Sequence, residues 1–333
     1  MAHFAQWPTR HPQNQPSQTS PAHDTTRTRF DSAAISSIRR LVWKMAAATF
    51  VLMAIGSATR VMNAGLACPD WPLCYGTLVP TQQMNLQVFL EWIHRLDASL
   101  IGLMAIALVV LSWRRRLQVP RWLPWASVGA LALVLVQGLL GGLTVTQLLR
   151  FDIVTAHLGT ALLFFIALLT IGVLLLPEQN EEPMQAPRFL PAVGLAAASL
   201  VYLQSLSGGL VGSQWALHQC LQLTQLCTVV NVHLLGVVPV TITVVAAVVM
   251  GWRSPVPGFK RIAQTASACL IAQIFLGTAT FRLHLQVELL TIAHQVVAAA
   301  LLGTLVCLTV YSLRLHNSLR LRNSDSLIPS ELH

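Results

Sequence analysis

Residues 153–176 read IVTAHLGTALLFFIALLTIGVLLL, an apolar run with a single imidazole, His157, four residues after its start. A run of this length predicts a transmembrane helix, because about 20 apolar residues span a hydrocarbon core roughly 30 Å thick. A titratable group inside such a helix is costly and usually marks function. The same combination occurs at three other places in the chain.

The chain contains eight apolar runs, and each even-numbered run carries one histidine near its start. The runs are 41–61, 88–113, 122–145, 153–176, 189–211, 229–250, 262–281 and 289–313. The histidines are His94, His157, His233 and His294. Backbone groups in lipid have to bond within their own segment, so the runs must be helices. We therefore predict an all-α integral membrane protein with eight transmembrane helices.

Composition and charge both agree with a membrane protein. Of the 333 residues only 10% are charged, whereas soluble domains carry roughly a quarter. If the eight helices cross in succession, 17 of the 21 Lys and Arg residues lie on the side that holds both termini. The positive-inside rule places this side in the cytoplasm. The net charge of +9 thus reflects topology, and we expect the lipid bilayer, not nucleic acid, as the partner.

The chain divides into five segments. Residues 1–40 are polar and rich in Pro, Gln, Ser and Thr, which predicts a disordered cytoplasmic tail. An organelle transit peptide is the competing interpretation, but Asp24, Asp31 and the prolines weaken it, and we favour a bacterial plasma membrane. The other segments are an N-terminal four-helix bundle (41–176), a cytoplasmic linker (177–188), a C-terminal four-helix bundle (189–313) and a cytoplasmic tail (314–333).

The two bundles repeat one another in sequence. His94 and His157 recur as His233 and His294, and the motif Q-x3-G-x2-T at residues 137–144 recurs at 273–280, with offsets of 136 to 139 residues. Copies separated by four crossings have the same orientation. We therefore predict two four-helix bundles related by a pseudo-twofold axis along the membrane normal.

Two pairs of inward-facing imidazoles favour heme over other ligands. Facing helices of a bundle commonly hold heme through axial ligands, whereas zinc needs more ligands around one ion. A lone histidine could instead bond a carbonyl or line a water cavity. Four at matched depth suit two bis-histidine hemes, or one heme and one heme-like substrate.

Only the first half places a carboxylate beside its imidazole. Glu91 precedes His94 by three residues and shares its helix face, whereas Val230 precedes His233. An acid in this position can hold water, accept a proton or stabilise positive charge. This asymmetry suggests substrate chemistry in the first half and electron transfer in the second. The alternative is a glutamate in the headgroup zone, bonded to water.

Arginines and paired cysteines lie on the non-cytoplasmic side. Arg60 and Arg95 could pair with heme propionates or serve as interfacial anchors. Each half has two cysteines six or seven residues apart, Cys68 with Cys74 and Cys220 with Cys227. Since disulfides persist outside the cytoplasm, we expect two loop-closing bonds, with free thiols or a metal site as the alternative.

These motifs resemble the heme A synthase family. The resemblance lies in GLACPDWPLCYG at residues 65–76, in EWIHR at residues 91–95 and in one histidine per even-numbered helix. Members convert heme O to heme A for heme-copper terminal oxidases by oxidising one porphyrin methyl to a formyl group through a hydroxymethyl intermediate.

The resemblance implies a role for each candidate residue. His94 and His157 would hold the substrate heme, while His233 and His294 would ligate the iron of a heme b cofactor. Glu91 would act at the reacting methyl, and both cysteine pairs match pairs found in the family. The implied partners are heme O, the heme O synthase (protoheme farnesyltransferase) that makes it, and an electron donor or acceptor of unknown identity; a homo-oligomer is compatible with the sequence.

Two other functions share some of these features. A non-enzymatic diheme b-type cytochrome would use the same four histidines, but it leaves Glu91 and the difference between the halves unexplained. A heme or small-molecule transporter would account for the repeat, although ligands near one face suit it less well than a central site.

Overall fold

The computed structural model describes residues 31–177, 186–212, 226–283 and 285–325. Within these residues the chain forms eight α-helices. They are α1 (Ser32–Val61), α2 (Leu86–Arg114), α3 (Trp122–Thr146), α4 (Phe151–Leu174), α5 (Leu190–Val211), α6 (Leu226–Trp252), α7 (Pro257–Arg282) and α8 (Glu288–Asp325). All eight are long and apolar enough to cross a membrane, so the predicted all-α membrane fold is confirmed.

Two helices extend further than their apolar runs. The first begins at Ser32, because Asp31 caps it by accepting the Ala33 N–H at 2.8 Å and because its first turns bury Ala34 and Ile38. Residues 32–40 are therefore helical and not part of a disordered tail. The last helix likewise continues beyond residue 313 to Asp325. Hydropathy marks the lipid-embedded length of a helix, whereas its ends depend on caps and packing.

Each half of the chain forms a ring of four contacting helices. In the first ring α1 contacts α2, α2 contacts α3, α3 contacts α4, and α4 contacts α1. The second ring repeats this order with α5, α6, α7 and α8. The rings meet where α4 and α8 contact each other and where α1 contacts α8 and α4 contacts α5. The twofold rotation expected to relate the rings stays a prediction.

The most buried helices, α4 and α8, lie where the two rings meet. Glycine permits close approach there: a methyl group at Gly303 of α8 would lie 2.9 Å from the Phe165 ring of α4. Small residues are the usual means of packing helices in lipid. The outer helices α3 and α7 bury the smallest share of their residues, as expected for helices that face lipid.

Two arginines from other helices neutralise the C-terminal end of α4. Arg39 of α1 donates to the Leu175 carbonyl at 3.2 Å. Arg314 of α8 donates to the carbonyls of Val173 at 3.2 Å and Leu176 at 2.5 Å. The last carbonyls of a helix have no partner within it and carry partial negative charge. Both rings thus contribute to the end of the central helix α4.

Candidate heme-binding site

All four intramembrane histidines line one cavity of about 1680 Å³ that extends through both rings. Ligand pockets usually measure roughly 300–1,000 Å³. This cavity therefore exceeds what one ordinary ligand needs. It has room for two large ligands side by side.

The first pair of histidines leaves space for a metal atom between its rings. The centroids of His94 and His157 are 6.4 Å apart, with an angle of 65° between the ring planes. An imidazole nitrogen binds a metal such as zinc at roughly 2 Å, so a single atom between the rings is within reach of both. His233 and His294 of the second ring lie near enough to interact electrostatically.

Each imidazole lies against a glycine of the preceding helix. A methyl group on that glycine would lie 2.8 Å from Cε1 of His94 at Gly56, 3.4 Å from His157 at Gly141, 3.0 Å from His233 at Gly208 and 2.7 Å from His294 at Gly277. A side chain at Gly56 or Gly277 would displace the ring. At Gly208 the ring would have to give by a few tenths of an ångström, and at Gly141 the contact would be at the limit of an ordinary one. The sequence contained the signal, since two of the glycines belong to the repeated Q-x3-G-x2-T motif, but it did not show what faces them.

The histidines present nitrogens without protein partners. The Nδ1 atoms of His94, His157 and His294 are buried and make no hydrogen bond among the described residues. The backbone carbonyl of Leu52, one turn before Gly56, lies near the His94 ring. His233 differs and is hydrogen-bonded by Ser207.

These observations fit iron porphyrin as the ligand of both histidine pairs. The imidazoles line one large cavity and rest on glycines that leave them space, and three of them keep Nδ1 free of hydrogen bonds among the described residues. No group of three or more His, Cys, Asp or Glu capable of holding a metal ion occurs among the described residues. A zinc centre built from side chains alone is thus absent from this part of the chain.

Glu91 is a buried carboxylate at the edge of the cavity. It is 4% exposed, forms an ion pair with Arg95 at 2.5 Å and accepts the Cys68 backbone N–H at 2.7 Å. Val230, which holds the corresponding position in the second ring, also lines the cavity. The difference between the halves seen in the sequence is therefore a difference inside the cavity.

Arg95 connects Glu91 to the loop between α1 and α2. Its guanidinium donates to the carbonyls of Cys68 at 3.3 Å and Asp70 at 2.6 Å, and also to that of Leu73. Four of its five N–H donors are thus directed at the loop and Glu91. Sequence reasoning offered a propionate contact or an interfacial anchor for Arg95, and it missed this third role.

The loop is closed by the predicted Cys68–Cys74 disulfide, which is confirmed. Asp70 accepts the backbone N–H groups of Gly76 at 2.7 Å and Tyr75 at 2.6 Å. The bond from Gly76, then that from Tyr75, hold the pKa of Asp70 below its ordinary value of 3.8. Gly76 adopts a φ of 68°, a conformation that glycine enters without strain. The second predicted pair, Cys220–Cys227, lies outside the residues whose side chains the structure describes.

Trp71 of the same loop covers part of the cavity. Its indole packs on Gly142 of α3, where a methyl group would lie 3.2 Å from the ring, and both Trp71 and Pro72 line the cavity. Gly142 is adjacent to Gly141, on which His157 rests. Sequence reasoning missed Trp71, although it lies within the motif that carries the family resemblance.

Arg60 joins the two rings beside the cavity. It belongs to α1 and donates to the Gly209 carbonyl in the last turn of α5 at 3.3 Å. One turn from Arg60, the Ser57 hydroxyl donates to Oε1 of Gln295, the residue after His294, at 2.5 Å. These contacts cross from one histidine pair toward the other.

A family model matches most of the chain. Residues 39–306 match the model of the cytochrome oxidase assembly protein family, COX15-CtaA. The chain belongs to this family. The match covers α2 to α7 in full, most of α1 and half of α8, and it includes all four histidines.

Several curated members of the family are similar to the chain, and each carries the name heme A synthase. The protein from Shewanella oneidensis is 30% identical over 188 residues, which cover 52% of this chain and 56% of that protein. The protein from Novosphingobium aromaticivorans is 26% identical over 222 residues, covering 57% and 62%. One from Rhizobium etli is 31% identical over 199 residues, covering 49% and 54%. The chain spans about half the length of the curated relatives it matches.

Eight membrane-spanning helices and bacterial relatives together make this chain a multi-pass bacterial membrane protein.

Proposed function

We propose that this protein is a heme A synthase, a membrane oxidoreductase that oxidises one methyl group of heme O to a formyl group through a hydroxymethyl intermediate. The observation that carries the proposal is one cavity with two histidine pairs seated on glycines, of which only the first has a buried carboxylate beside it. The names of the similar proteins support the same reaction. The product, heme A, would serve heme-copper terminal oxidases.

Each ring would bind a heme with a different role. His94 and His157 would hold heme O as substrate, because Glu91 lies in this ring. His233 and His294 would hold heme b as cofactor, because their ring carries Val230 at the matching place. A heme b held there would supply one-electron transfer to or from the first ring. Ser57 and Gln295 would keep the two sites at a fixed separation through their hydrogen bond.

Glu91 is the candidate catalytic residue. Oxidation of a porphyrin methyl removes two electrons in each of two steps and releases protons. A buried carboxylate beside the substrate can accept such a proton or stabilise positive charge that develops in the transition state. Arg95 and the Cys68 N–H hold both carboxylate oxygens in place. An acid fixed in this way can act without reorganising its surroundings.

Trp71 and Arg60 would position the substrate. The Trp71 indole, which lines the cavity, offers an aromatic face against which a porphyrin can pack. Arg60 is a cation at the cavity wall between the rings. It can pair with a propionate carboxylate of either macrocycle.

Co-expression with a protoheme farnesyltransferase, which supplies heme O, tests the function. Hemes extracted from the membranes are separated by chromatography. A heme A synthase yields heme A or its hydroxymethyl precursor. Unaltered heme O together with folded, heme-loaded protein would refute the proposal and favour a diheme cytochrome.

The membrane orientation is also a proposal. The excess of Lys and Arg places both termini in the cytoplasm of a bacterium, with the disulfide loop on the periplasmic side. A fluorescent protein fused to the C-terminus should then fluoresce, whereas a periplasmic alkaline phosphatase fused there should be inactive. The reverse result would invert the topology.

A further inference from the structure

His233 is the one intramembrane histidine whose Nδ1 has a side-chain hydroxyl partner among the described residues. The Oγ atom of Ser207 lies 2.9 Å from this nitrogen. The Nδ1 atoms of the other three histidines are buried without a hydrogen bond in the same part of the chain. Ser207 directly precedes Gly208, the glycine on which the His233 ring rests.

The equivalent position beside each of the other three histidines is apolar. The residue before each glycine is Ile55 next to His94, Leu140 next to His157 and Leu276 next to His294. None of these side chains can accept or donate a hydrogen bond. Of the four residues that precede these glycines, only Ser207 therefore carries a hydroxyl. Two side-chain amides also approach the imidazoles, with Gln204 Nε2 3.2 Å from Nδ1 of His233 and Gln273 Nε2 3.3 Å from Nε2 of His294.

The hydrogen bonds of Ser207 favour the tautomer of His233 that is protonated at Nδ1. The Ser207 hydroxyl donates to the Gln204 carbonyl at 2.9 Å. With its proton used there, the Ser207 oxygen accepts the Nδ1–H of His233. The lone pair of Nε2 is then free to bind iron. The Gln204 side chain also donates to the His233 carbonyl at 2.6 Å, and Gly236 leaves space for its amide.

A partner at Nδ1 strengthens an imidazole as a ligand. It fixes the tautomer and the ring orientation, and it raises the basicity of the coordinating nitrogen. Loss of such a partner typically costs about 10- to 100-fold in metal affinity. More electron density on the ligand also favours the ferric state and so lowers the reduction potential.

We propose that Ser207, supported by Gln204, is a positioning residue that makes the second histidine pair a site of permanent heme retention. The first pair lacks this contact and releases its heme. This inference rests on the proposed function, because a synthase must keep its cofactor and exchange its substrate. The retention of heme would thus be set by a hydroxyl beside the ligand and not by the ligand itself.

The test is heme loss from purified, heme-loaded protein to an excess of heme-free myoglobin, together with a redox titration of the b-type spectrum. Ser207→Ala should lose the second-ring heme about 10- to 100-fold faster and show a higher midpoint potential. Ser207→Thr, which keeps the hydroxyl, should restore both values. Ser267→Ala in α7 is the matched control, because the Ser267 hydroxyl donates only to its own helix at Ala263. An unchanged rate of heme loss and an unchanged midpoint potential in Ser207→Ala would overturn the inference.

A reciprocal variant tests the same idea in the first ring. Ile55→Ser introduces a hydroxyl next to Gly56, and a His233→Ala background leaves the first pair as the heme site. Heme loss should slow by about 10-fold, and an unchanged rate would contradict the inference. If no heme in the otherwise unchanged protein depends on His233, it is the proposed function that fails. If heme depends on His233 but not on Ser207, only this inference fails.

Discussion

Gly277 of α7 lies against the ring of His294 and leaves little space between the imidazole and the neighbouring helix. Gly277→Ala should remove much of the low-spin b-type spectrum, because the new methyl group would lie 2.7 Å from Cε1 of His294 and the ring has to move. The variant should still fold, since alanine is the better helix former. Absorption spectra of the purified protein measure the effect. Gly129→Ala in α3, where no atom lies within 4 Å of the new methyl group, should keep the full spectrum.

The effect of the negative charge of Glu91 can be tested apart from the effect of its side-chain size. Glu91→Gln retains an oxygen that accepts the Cys68 N–H but removes the negative charge. It should keep bound heme and lower the conversion of heme O by about 100-fold or more, as measured by chromatography of extracted hemes. Asp97→Asn changes the other intramembrane acid of α2 and should leave conversion intact. Full conversion by Glu91→Gln would exclude a catalytic role for this acid.

Among single residues, the sequence identifies the titratable side chains that lie in apolar runs. It misses the residues that contact those side chains in the fold. The four histidines and Glu91 are recognisable because titratable groups are rare in apolar runs. Gly56, Ser207 and Trp71 are ordinary residues for a membrane helix or a loop, and their roles depend on what lies opposite them. For Arg95 the sequence offered a propionate contact or an interfacial anchor, and its ion pair with Glu91 was missed.

Among the elements, the disulfide loop contains a half-buried carboxylate, that of Asp70, which accepts two of the loop's backbone N–H groups. The pKa of Asp70 is lowered by backbone N–H groups of the folded loop, so its contribution is present above the ordinary value of 3.8 and is lost as the pH falls through the lower, folded value. Between pH 5 and 8 the loop should not change. Asp70→Asn should expose the Cys68–Cys74 bond to faster reduction by a water-soluble phosphine at pH 7.

The Cys68–Cys74 bond of the wild-type protein should be reduced as fast as that of Asp70→Asn only in strong acid, below the folded pKa of Asp70. Thiol labelling after timed reduction gives both rates. Asp152→Asn, at the start of α4 and paired with Arg150, is the control and should leave the reduction rate unchanged. Equal rates for wild type and Asp70→Asn at pH 7 would show that Asp70 does not hold the loop.

The end of α4 offers a second test of an element. Arg314→Ala removes a cation from the C-terminal end of α4, where its guanidinium donates to the carbonyls of Val173 and Leu176. A partly buried cation at a helix C-terminus contributes about 1–2 kcal/mol, so the thermal midpoint in detergent should fall. Arg116→Ala, at an exposed position after α2, should leave the midpoint within error.

Hydropathy predicted all eight helices because a lipid-spanning helix needs a long apolar run and little else. It predicted that α1 begins at residue 41 and that α8 ends at residue 313, both within the membrane. Both helices continue outside it, where an Asp31 cap and the burial of Ile38 replace hydropathy as the cause. Such contacts join distant parts of the chain and leave no periodic signal.

For the whole molecule, the contact between rings can be tested at Ser57. Ser57→Ala breaks the hydrogen bond to Gln295, and bonds of this kind within membranes contribute about 0.6 kcal/mol. We expect a small fall in the thermal midpoint. Ser99→Ala, whose hydroxyl bonds only to the Arg95 carbonyl of its own helix, should show no fall. An equal effect in both variants would show that Ser57 does not join the rings.

The internal repeat predicted two groups of four helices, and the helix contacts have this grouping. The repeat did not predict that α4 and α8 would be the central pair, because the copies look equally apolar in sequence. Which helix faces pack together depends on small residues such as Gly303 and on the shape of the packed surfaces. The periodicity of apolar residues in the sequence carries no information on that shape.

Arg60 limits how alike the two halves can be. In the register that matches Gly56 with Gly208, Arg60 matches Gly212, and a methyl group at Gly212 would lie 2.8 Å from Nη2 of Arg60. The guanidinium of the first half therefore fills the space next to the residue that matches it in the second half. An arginine at both positions would bring two like charges together, whereas glycine at one of them leaves room for a single cation between the rings.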